Sequence, residues 1–233
     1  MPRLVVFVEG KGDTKAVVRL VARLLDERKA FDGSLYLDDN PIRIGPIERV
    51  TGRKADEWLR KLKLARLRPD LGGVLLVLDG DRDTVEGRPF CSGSVAQLLA
   101  ERARGAGAGT LFSVACVFAM REFESWLIGG IASLAGRTLP DGSAGVTPDA
   151  TFPKDAEMIR GCKEWLAQHM KNGYNPTIHQ LPLVNMLDLR MLRASGLRSF
   201  ARLEHALDEL VAAIRVANHV STPMKQTSVR KEP

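Results

Sequence analysis

The chain has 233 residues, 45% of them hydrophobic and 27% charged, which suits one globular domain with an elaboration or two small domains. The apolar run Leu4 to Val8 is too short for a signal peptide, and no run approaches the roughly 18 apolar residues of a membrane span, so we expect a cytosolic protein without a membrane partner. The formal net charge is +6, and the three cysteines are widely spaced and odd in number, which argues against a disulfide framework or a Cys-x-x-Cys metal site.

The first predicted elements are a buried strand and a helix. The strand is the apolar run Leu4 to Val8, and Asp13 is placed to cap the helix, whose apolar residues recur at helical spacing. Residues 35–44 predict a weaker strand, which the turn signal Asp-Asp-Asn-Pro interrupts.

A basic helix is predicted next, and it accounts for the net charge of the chain. Between residues 49 and 68, eight basic residues stand against two acids. Such a helix is suited to a nucleic-acid backbone, because each phosphate that it neutralises releases counterions. The residues predicted to bind the backbone are Arg53, Lys54, Arg60, Lys61 and Lys63. Apolar residues on the other side of the helix fit an ordinary solvated face equally well, so both interpretations stay open.

Two further buried strands are predicted, with a helix between them. The sequences are GGVLLVLDGD, residues 72–81, and TLFSVACVFAM, residues 110–120. Short apolar strands separated by helices are typical of a parallel sheet covered on both faces. The prediction is therefore a doubly wound, mainly parallel four-stranded α/β core.

The composition changes after the predicted core, which spans residues 1–135. Residues 136–153 are rich in Gly, Pro, Asp and Thr and predict a long loop. The chain then has helical patterns but no further strand signal, which makes 136–215 a loop and helical extension packed on the core. The last residues, 216–233, are polar and predict a disordered tail.

Carboxylates follow three of the predicted strands. These are Glu9 and Asp13 after the first, Asp79 and Asp81 after the third, and Glu122 and Glu124 after the fourth. Ligands of open parallel sheets bind at this end of the strands, so we expect the acids to converge there. Neither phosphate-loop motif is complete, because Lys15 stands where both need a glycine. Hard carboxylate oxygens suit Mg²⁺ or Mn²⁺. Asp13 also fits a helix N-cap, and Glu122 and Glu124 fit first-turn acids that complement a helix dipole.

Two resemblances rest on these residues. Glu9-Gly10 and Asp79-Gly80-Asp81, each at a strand end, resemble the Toprim fold of topoisomerases, primases and OLD-family nucleases. The Glu-Phe-Glu-x-Trp stretch, residues 122–126, and the later NGYNPTIHQLPLVNMLDLRML resemble a bacterial family, domain-of-unknown-function family 4276. The first resemblance implies that Asp79 and Asp81 ligate a divalent metal and that Glu9 ligates it or acts as general acid and base. It also implies that Asp13 and Glu124 complete the metal shell, with Glu122 as a further candidate.

The Toprim resemblance implies metal-dependent phosphodiester hydrolysis of DNA or RNA, with nucleic-acid processing or phage defence as the setting. Topoisomerase activity does not fit, because Tyr36 and Tyr174 lie in no cleavage-domain context. A primase would need template-binding modules for which the chain has little room. Two alternatives stay open. One is a non-catalytic partner module of a separately encoded ATPase, since this chain has no Walker motif; the other is a small-nucleotide phosphohydrolase.

Overall fold

The computed structural model describes residues 1–52, 55–153 and 156–224, and its centre is a parallel β-sheet. The strands are β1 (Arg3–Val8), β2 (Tyr36–Leu37), β3 (Ile42–Arg43), β4 (Leu71–Asp79), β5 (Thr84–Val85), β6 (Arg88–Pro89), β7 (Ser113–Ala119) and β8 (Ser221–Thr222). The main sheet has the order β2-β1-β4-β7-β8, with β3 also paired to β1. β5 and β6 form a separate antiparallel hairpin.

Three neighbouring strands, β1, β4 and β7, form the centre of the sheet, because each is an apolar run of the kind that a sheet covered on both faces requires. The register pairs Val8 of β1 with Val77 of β4, and Asp79 of β4 with Ala119 of β7. The carboxyl ends of the three strands therefore lie side by side at one edge.

Helices cover both faces of the sheet. They are α1 (Asp13–Glu27), α2 (Ala55–Ala65), α3 (Ser92–Ala103), α4 (Glu124–Gly129), α5 (Cys162–Gln168), α6 (Pro176–Met186), α7 (Leu189–Ala194) and α8 (Arg198–Arg215). Alternate strand residues point to opposite faces. Val6 and Leu75 belong to the apolar cluster that α1 and α4 to α8 complete, whereas Val5 and Leu76 belong to the cluster with α2 and α3. The predicted doubly wound parallel fold is confirmed.

The edges of the sheet differ from the sequence prediction. The weak strand predicted over 35–44 is present as β2 and β3, which the predicted turn separates and which both pair with β1. The sequence predicts no strand beyond residue 136, yet β8 pairs with β7. Ser221 and Thr222 are buried, and the Ser221 hydroxyl donates to the Ala100 carbonyl at 2.5 Å. A two-residue polar strand has no apolar pattern by which it could be predicted.

The prediction of a disordered tail from residue 216 is wrong for 216–224, which run to β8 and beyond it. The rest of that prediction, 225–233, lies outside the described residues. Among the described helices, none combines the length and the apolar character that crossing a membrane needs.

Candidate functional site at the carboxyl edge of the sheet

The acids that follow β1, β4 and β7 lie together at one edge of the sheet. We call this set the acidic edge: Glu9, Asp13, Asp79, Asp81, Glu122 and Glu124. The backbone N–H of Asp79 donates to Glu9 Oε2 at 3.2 Å. Asp79 Oδ1 in turn accepts from the backbone N–H of Phe123 at 2.9 Å. Hydrogen bonds therefore connect the ends of all three central strands.

Glu124 and Asp13 share a partner from the C-terminal half of the chain. The side-chain amide of Gln180, at the middle of α6, donates to Asp13 Oδ1 at 3.2 Å and to Glu124 Oε1 at 2.9 Å. The Tyr174 hydroxyl donates to the same Glu124 oxygen at 2.9 Å. Glu124 is 0% exposed, and its Oε2 accepts no hydrogen bond from the described residues. A buried carboxylate oxygen without a donor is costly, and a nearby cation would offset that cost.

Asp13 is not the N-cap of α1, which is Gly12. Asp13 instead lies in the first turn of the helix, and its Oδ2 accepts from the Gly10 N–H at 2.7 Å. The N-cap alternative considered for this residue is therefore wrong. Its carboxylate bends back toward the end of β1, where it adds negative charge to the acidic edge.

Lys163, the second residue of α5, extends its ammonium group into the acidic edge. The Nζ atom forms an ion pair with Glu122 and lies 3.4 Å from Glu124 Oε2 and 3.8 Å from Asp79 Oδ2. The backbone N–H of Lys163 also donates to Glu122 Oε2 at 3.2 Å. The Glu122 carboxylate therefore binds both the backbone N–H and the side-chain ammonium of Lys163.

Asp81 lies at the periphery of the acidic edge. Its carboxylate is about 3.6 Å from a guanidinium nitrogen of Arg121 and is 36% exposed. Asp83, two residues on, is exposed and pairs with Arg160. Arg121 itself has a left-handed backbone, with φ of 66°, at the turn that leads from β7 to Glu122. The β4 end thus directs Asp79 inward and Asp81 toward solvent.

Three of the carboxyl groups have raised pKa values. Burial, with a smaller contribution from the charge of Asp13, raises the pKa of Glu9 to about 7, although the Asp79 N–H opposes the shift. Burial and the neighbouring acids raise the pKa of Asp79 well above its ordinary range, and burial raises that of Glu124. Burial opposes the charge on Lys163, but the surrounding carboxylates outweigh it and raise the pKa of its ammonium. The ionised forms of these buried carboxyl groups are therefore disfavoured even with Lys163 beside them, and a further cation would favour them.

Three glycines at the acidic edge lie so close to neighbouring oxygen atoms that a side chain would not fit. A Cβ on Gly80 would lie 2.9 Å from the Ala119 carbonyl oxygen, and one on Gly12 would lie 2.9 Å from Gln180 Oε1. A Cβ on Gly10 would lie 2.9 Å from Asp13 Oδ2. Gly12 has helical φ and ψ of −60° and −42°, so close packing, not an unusual backbone angle, explains this glycine.

The predicted acids come together, but they do not form a ready set of metal ligands. Within residues 1–52, 55–153 and 156–224, no group of three His, Cys, Asp or Glu side chains is placed to hold one metal ion. The expected convergence of Glu9, Asp79, Asp81 and Glu124 is therefore only partial, and their role as metal ligands stays a prediction. The physical reasons are that the Lys163 ammonium lies beside Asp79 and Glu124 and that Asp81 is directed to Arg121.

The basic helix makes ion pairs within its own surroundings. Arg60 donates two hydrogen bonds to Glu57, at 2.8 and 2.7 Å, and Lys61 lies 4.0 Å from the same carboxylate. Arg68 donates to Asp38 at 2.8 Å. Lys63 is exposed. Arg53 and Lys54, which were also predicted to bind a phosphate backbone, lie outside the described residues.

Sequence reasoning missed Tyr174 and Gln180 as parts of the site. Each comes from the helical extension, more than 30 residues after Glu124. The only signal was the polar stretch NGYNPTIHQ, which contains Tyr174 and Gln180 and which resembles family 4276. The sequence of that stretch does not indicate that Tyr174 and Gln180 contact Glu124 after β7; only the three-dimensional structure does.

Comparison with known proteins identifies the family. The family model described as Domain of unknown function (DUF4276) matches residues 8–208, so the chain belongs to this family, as its sequence motifs indicated. The matched range contains the whole acidic edge together with Lys163, Tyr174 and Gln180. No curated protein and no solved structure matches the chain.

Proposed function

We propose that this member of the DUF4276 family is a divalent-metal-dependent phosphodiesterase that acts on DNA or RNA. The observation that carries the proposal is the buried Glu124, whose Oε2 has no hydrogen-bond donor among the described residues. Glu124 acts together with Asp13 and Glu9 on the charge of Asp79. The strand-end motifs that resemble the Toprim fold imply the same function.

The donor set fits a hard divalent cation. Every candidate ligand is a carboxylate oxygen, which is the ligand that Mg²⁺ and Mn²⁺ prefer. The raised pKa values of Glu9, Asp79 and Glu124 reflect burial of negative charge that the described cations do not fully neutralise. Glu9, Asp13, Asp79 and Glu124 would hold the ion, with Asp81 next to them. A bound ion of this kind supplies Lewis acidity and lowers the pKa of a bound water.

The chain's own residues have distinct roles in this proposal. Gln180 and Tyr174 fix the orientation of Glu124, and Gln180 also fixes Asp13, through hydrogen bonds to one oxygen of each carboxylate. Glu9 stands against the end of β4 as a ligand or as the general acid and base. Glu122 positions Lys163.

A small phosphoester substrate is the second candidate. It is favoured by the ion pairs of the basic segment, where Glu57 accepts from Arg60 on α2 and Asp38 accepts from Arg68 after the end of α2, so that these charges are partly neutralised within the protein. A protein that binds a long phosphate backbone needs Lys and Arg side chains along its surface that are not already neutralised by acids. A small nucleotide would need only the acidic edge and its metal.

The test is hydrolysis of plasmid DNA, single-stranded DNA, RNA and small nucleotides with Mg²⁺, Mn²⁺ or a chelator. The variant is Asp79→Asn, which keeps the acceptor for Phe123 but removes the charge, and the matched control is Asp83→Asn on the exposed side of the same loop. We expect metal-dependent hydrolysis that falls by about a hundredfold or more in Asp79→Asn and only slightly in Asp83→Asn.

Each outcome selects one interpretation. Hydrolysis of nucleotides but not of polymers would favour the second candidate. Metal binding that Asp79→Asn removes, without hydrolysis of any substrate, would favour a non-catalytic module that works with a separate ATPase. Equal hydrolysis by the parent and Asp79→Asn, or in chelator, would contradict a metal-dependent active site at the acidic edge.

A further inference from the structure

Lys163 holds the position that a cation would take at the acidic edge. Its ammonium lies 3.4 Å from Glu124 Oε2, the buried oxygen that has no hydrogen-bond donor among the described residues, and 3.8 Å from Asp79 Oδ2. Both carboxylates belong to the proposed ligand set. The ammonium group therefore neutralises the same oxygens that a metal ion would bind.

The base of the Lys163 side chain is fixed, whereas its end can reach solvent. Cys162, the preceding residue, is completely buried, and the Lys163 backbone N–H donates to Glu122. The side chain of Lys163 is nevertheless 34% exposed, in contrast to 0% for Glu124. Rotation about the bonds of its four-carbon stem could move the ammonium out of the site without any movement of α5.

We propose that Lys163 is an internal counter-cation, which a divalent metal ion displaces when it binds Asp79 and Glu124. This inference rests on the proposed metal site. Two cations close to the same pair of carboxylates repel each other, and a divalent ion attracts the carboxylates more strongly than an ammonium does. In the absence of metal, Lys163 stabilises the crowded acids; in its presence, Lys163 turns to solvent.

The first experiment measures metal binding by calorimetry in the absence of substrate. Lys163→Met removes the charge and keeps an unbranched apolar stem, and Lys63→Met on α2 is the matched control for the loss of one positive charge at an exposed position. We expect Lys163→Met to bind Mn²⁺ at least about tenfold more tightly than the parent, because no cation has to leave. Its melting temperature without metal should fall, because the acids lose their counter-cation. Equal affinity in the two proteins would overturn the inference.

The second experiment distinguishes displacement from simple repulsion between two resident cations. The unmodified protein is acetylated with an amine-reactive ester, with and without Mn²⁺, and the modification of each lysine is followed by mass spectrometry. Displacement predicts that the metal increases the labelling rate of Lys163 several-fold and leaves that of Lys63 unchanged. A labelling rate of Lys163 that stays constant or falls with metal would overturn the inference, even if Lys163→Met cannot be obtained folded.

Failure of the inference can be told from failure of the proposed function. If the parent binds metal and Asp79→Asn does not, but Lys163 labelling is unaffected by the metal, then only the displacement is wrong. If Lys163→Met binds metal and the parent does not, the lysine excludes the ion instead of yielding to it, and the displacement is again wrong. If neither protein binds metal, both the site and the displacement are wrong.

Discussion

Gly80 separates the two aspartates at the end of β4. It has only a hydrogen where other residues have a Cβ, and this lets the end of β4 lie close to the end of β7. Its N–H donates to the Ala119 carbonyl oxygen at 2.8 Å, and a Cβ would lie 2.9 Å from that same oxygen. A backbone atom of the neighbouring strand cannot rotate away as a side chain can. A side chain at position 80 would therefore force the ends of β4 and β7 apart.

We expect Gly80→Ala to lower the free energy of unfolding by about 1–3 kcal/mol and to weaken metal binding, because Asp79 would move away from Phe123. The measurement is denaturant unfolding, followed by calorimetric titration with Mn²⁺. Gly93→Ala in α3 is the control, since a Cβ there meets no atom within 4 Å. Parent-like stability and metal binding in Gly80→Ala would show that the strand ends tolerate the separation.

Asp38 is a buried acid at the opposite end of the sheet, and it has its full set of partners. Its Oδ2 accepts from Arg3 and from Arg68, each at 2.8 Å, and its Oδ1 accepts from the Asn40 N–H at 3.0 Å. Burial alone would raise its pKa. The hydrogen bonds from Arg3 and Asn40 and the charge of Arg68 together outweigh burial, so the pKa of Asp38 lies below its ordinary value.

We expect Asp38→Asn to lower the free energy of unfolding at pH 7 by about 1–3 kcal/mol. Because the folded pKa is depressed, the stabilisation is present above the unfolded pKa of about 3.9 and is lost as the pH falls through the folded pKa. The difference between parent and variant should therefore shrink below about pH 4. The control is Asp208→Asn, whose partner Arg28 is 2.6 Å away but whose side chain is 62% exposed, and it should change stability by less than about 1 kcal/mol. A difference that does not depend on pH would contradict the charge-based account.

At the scale of elements, α2 is where the two interpretations of the basic segment can be separated. We expect the combined reversal Arg60→Glu, Lys61→Glu and Lys63→Glu to weaken nucleic-acid binding for all sequences. The slope of log affinity against log salt should fall by up to about one unit for each phosphate that the helix no longer neutralises. Metal affinity should change little, because salt at ~0.15 M screens exposed charges beyond about 8 Å.

The measurement is binding to one DNA and one RNA at several salt concentrations. Arg190→Glu, on the exposed face of α7, is the control for reversal of a surface charge. An identical salt slope in the parent and the triple variant would show that α2 is only a solvated face, and the small-nucleotide substrate would then be favoured.

The elements that the sequence predicted well are those whose apolar pattern is local. β1, β4 and β7 are continuous apolar runs, and the acids at their ends follow directly in the chain. The convergence of Glu9 and Asp79 at one edge was therefore predictable from the parallel arrangement of the strands. Gln180 and Tyr174 were not, since their place at the acidic edge depends on how α6 packs against α1 across a long sequence separation. The ion pair of Lys163 with Glu122 depends equally on the position of α5.

At the scale of the whole molecule, the core and the extension after residue 135 share one apolar cluster and one site. One buried apolar cluster contains residues from β1, such as Val6, and residues from α8, such as Leu207. The extension after residue 135 also supplies Lys163, Tyr174 and Gln180 to Glu122 and Glu124, which lie near the end of the core. The fold and the site therefore both depend on the extension. After α8 the chain returns to the sheet, where β8 pairs with β7 at its edge.

The contribution of that return can be tested by truncation after Val216. The truncated protein would lack the hydrogen bond from the Val114 N–H to the Val220 carbonyl, at 2.7 Å, and the bond from Arg202 to the Thr222 hydroxyl, at 3.0 Å. It would also expose the edge of β7. We expect a decrease of roughly 2 kcal/mol or more in the free energy of unfolding, which for a chain of this size lowers the melting temperature by roughly 4–8 °C. A protein that ends at Met224 is the control, because it keeps every described hydrogen bond of β8. If both proteins melt at the temperature of the full chain, β8 contributes nothing measurable to the stability of the sheet.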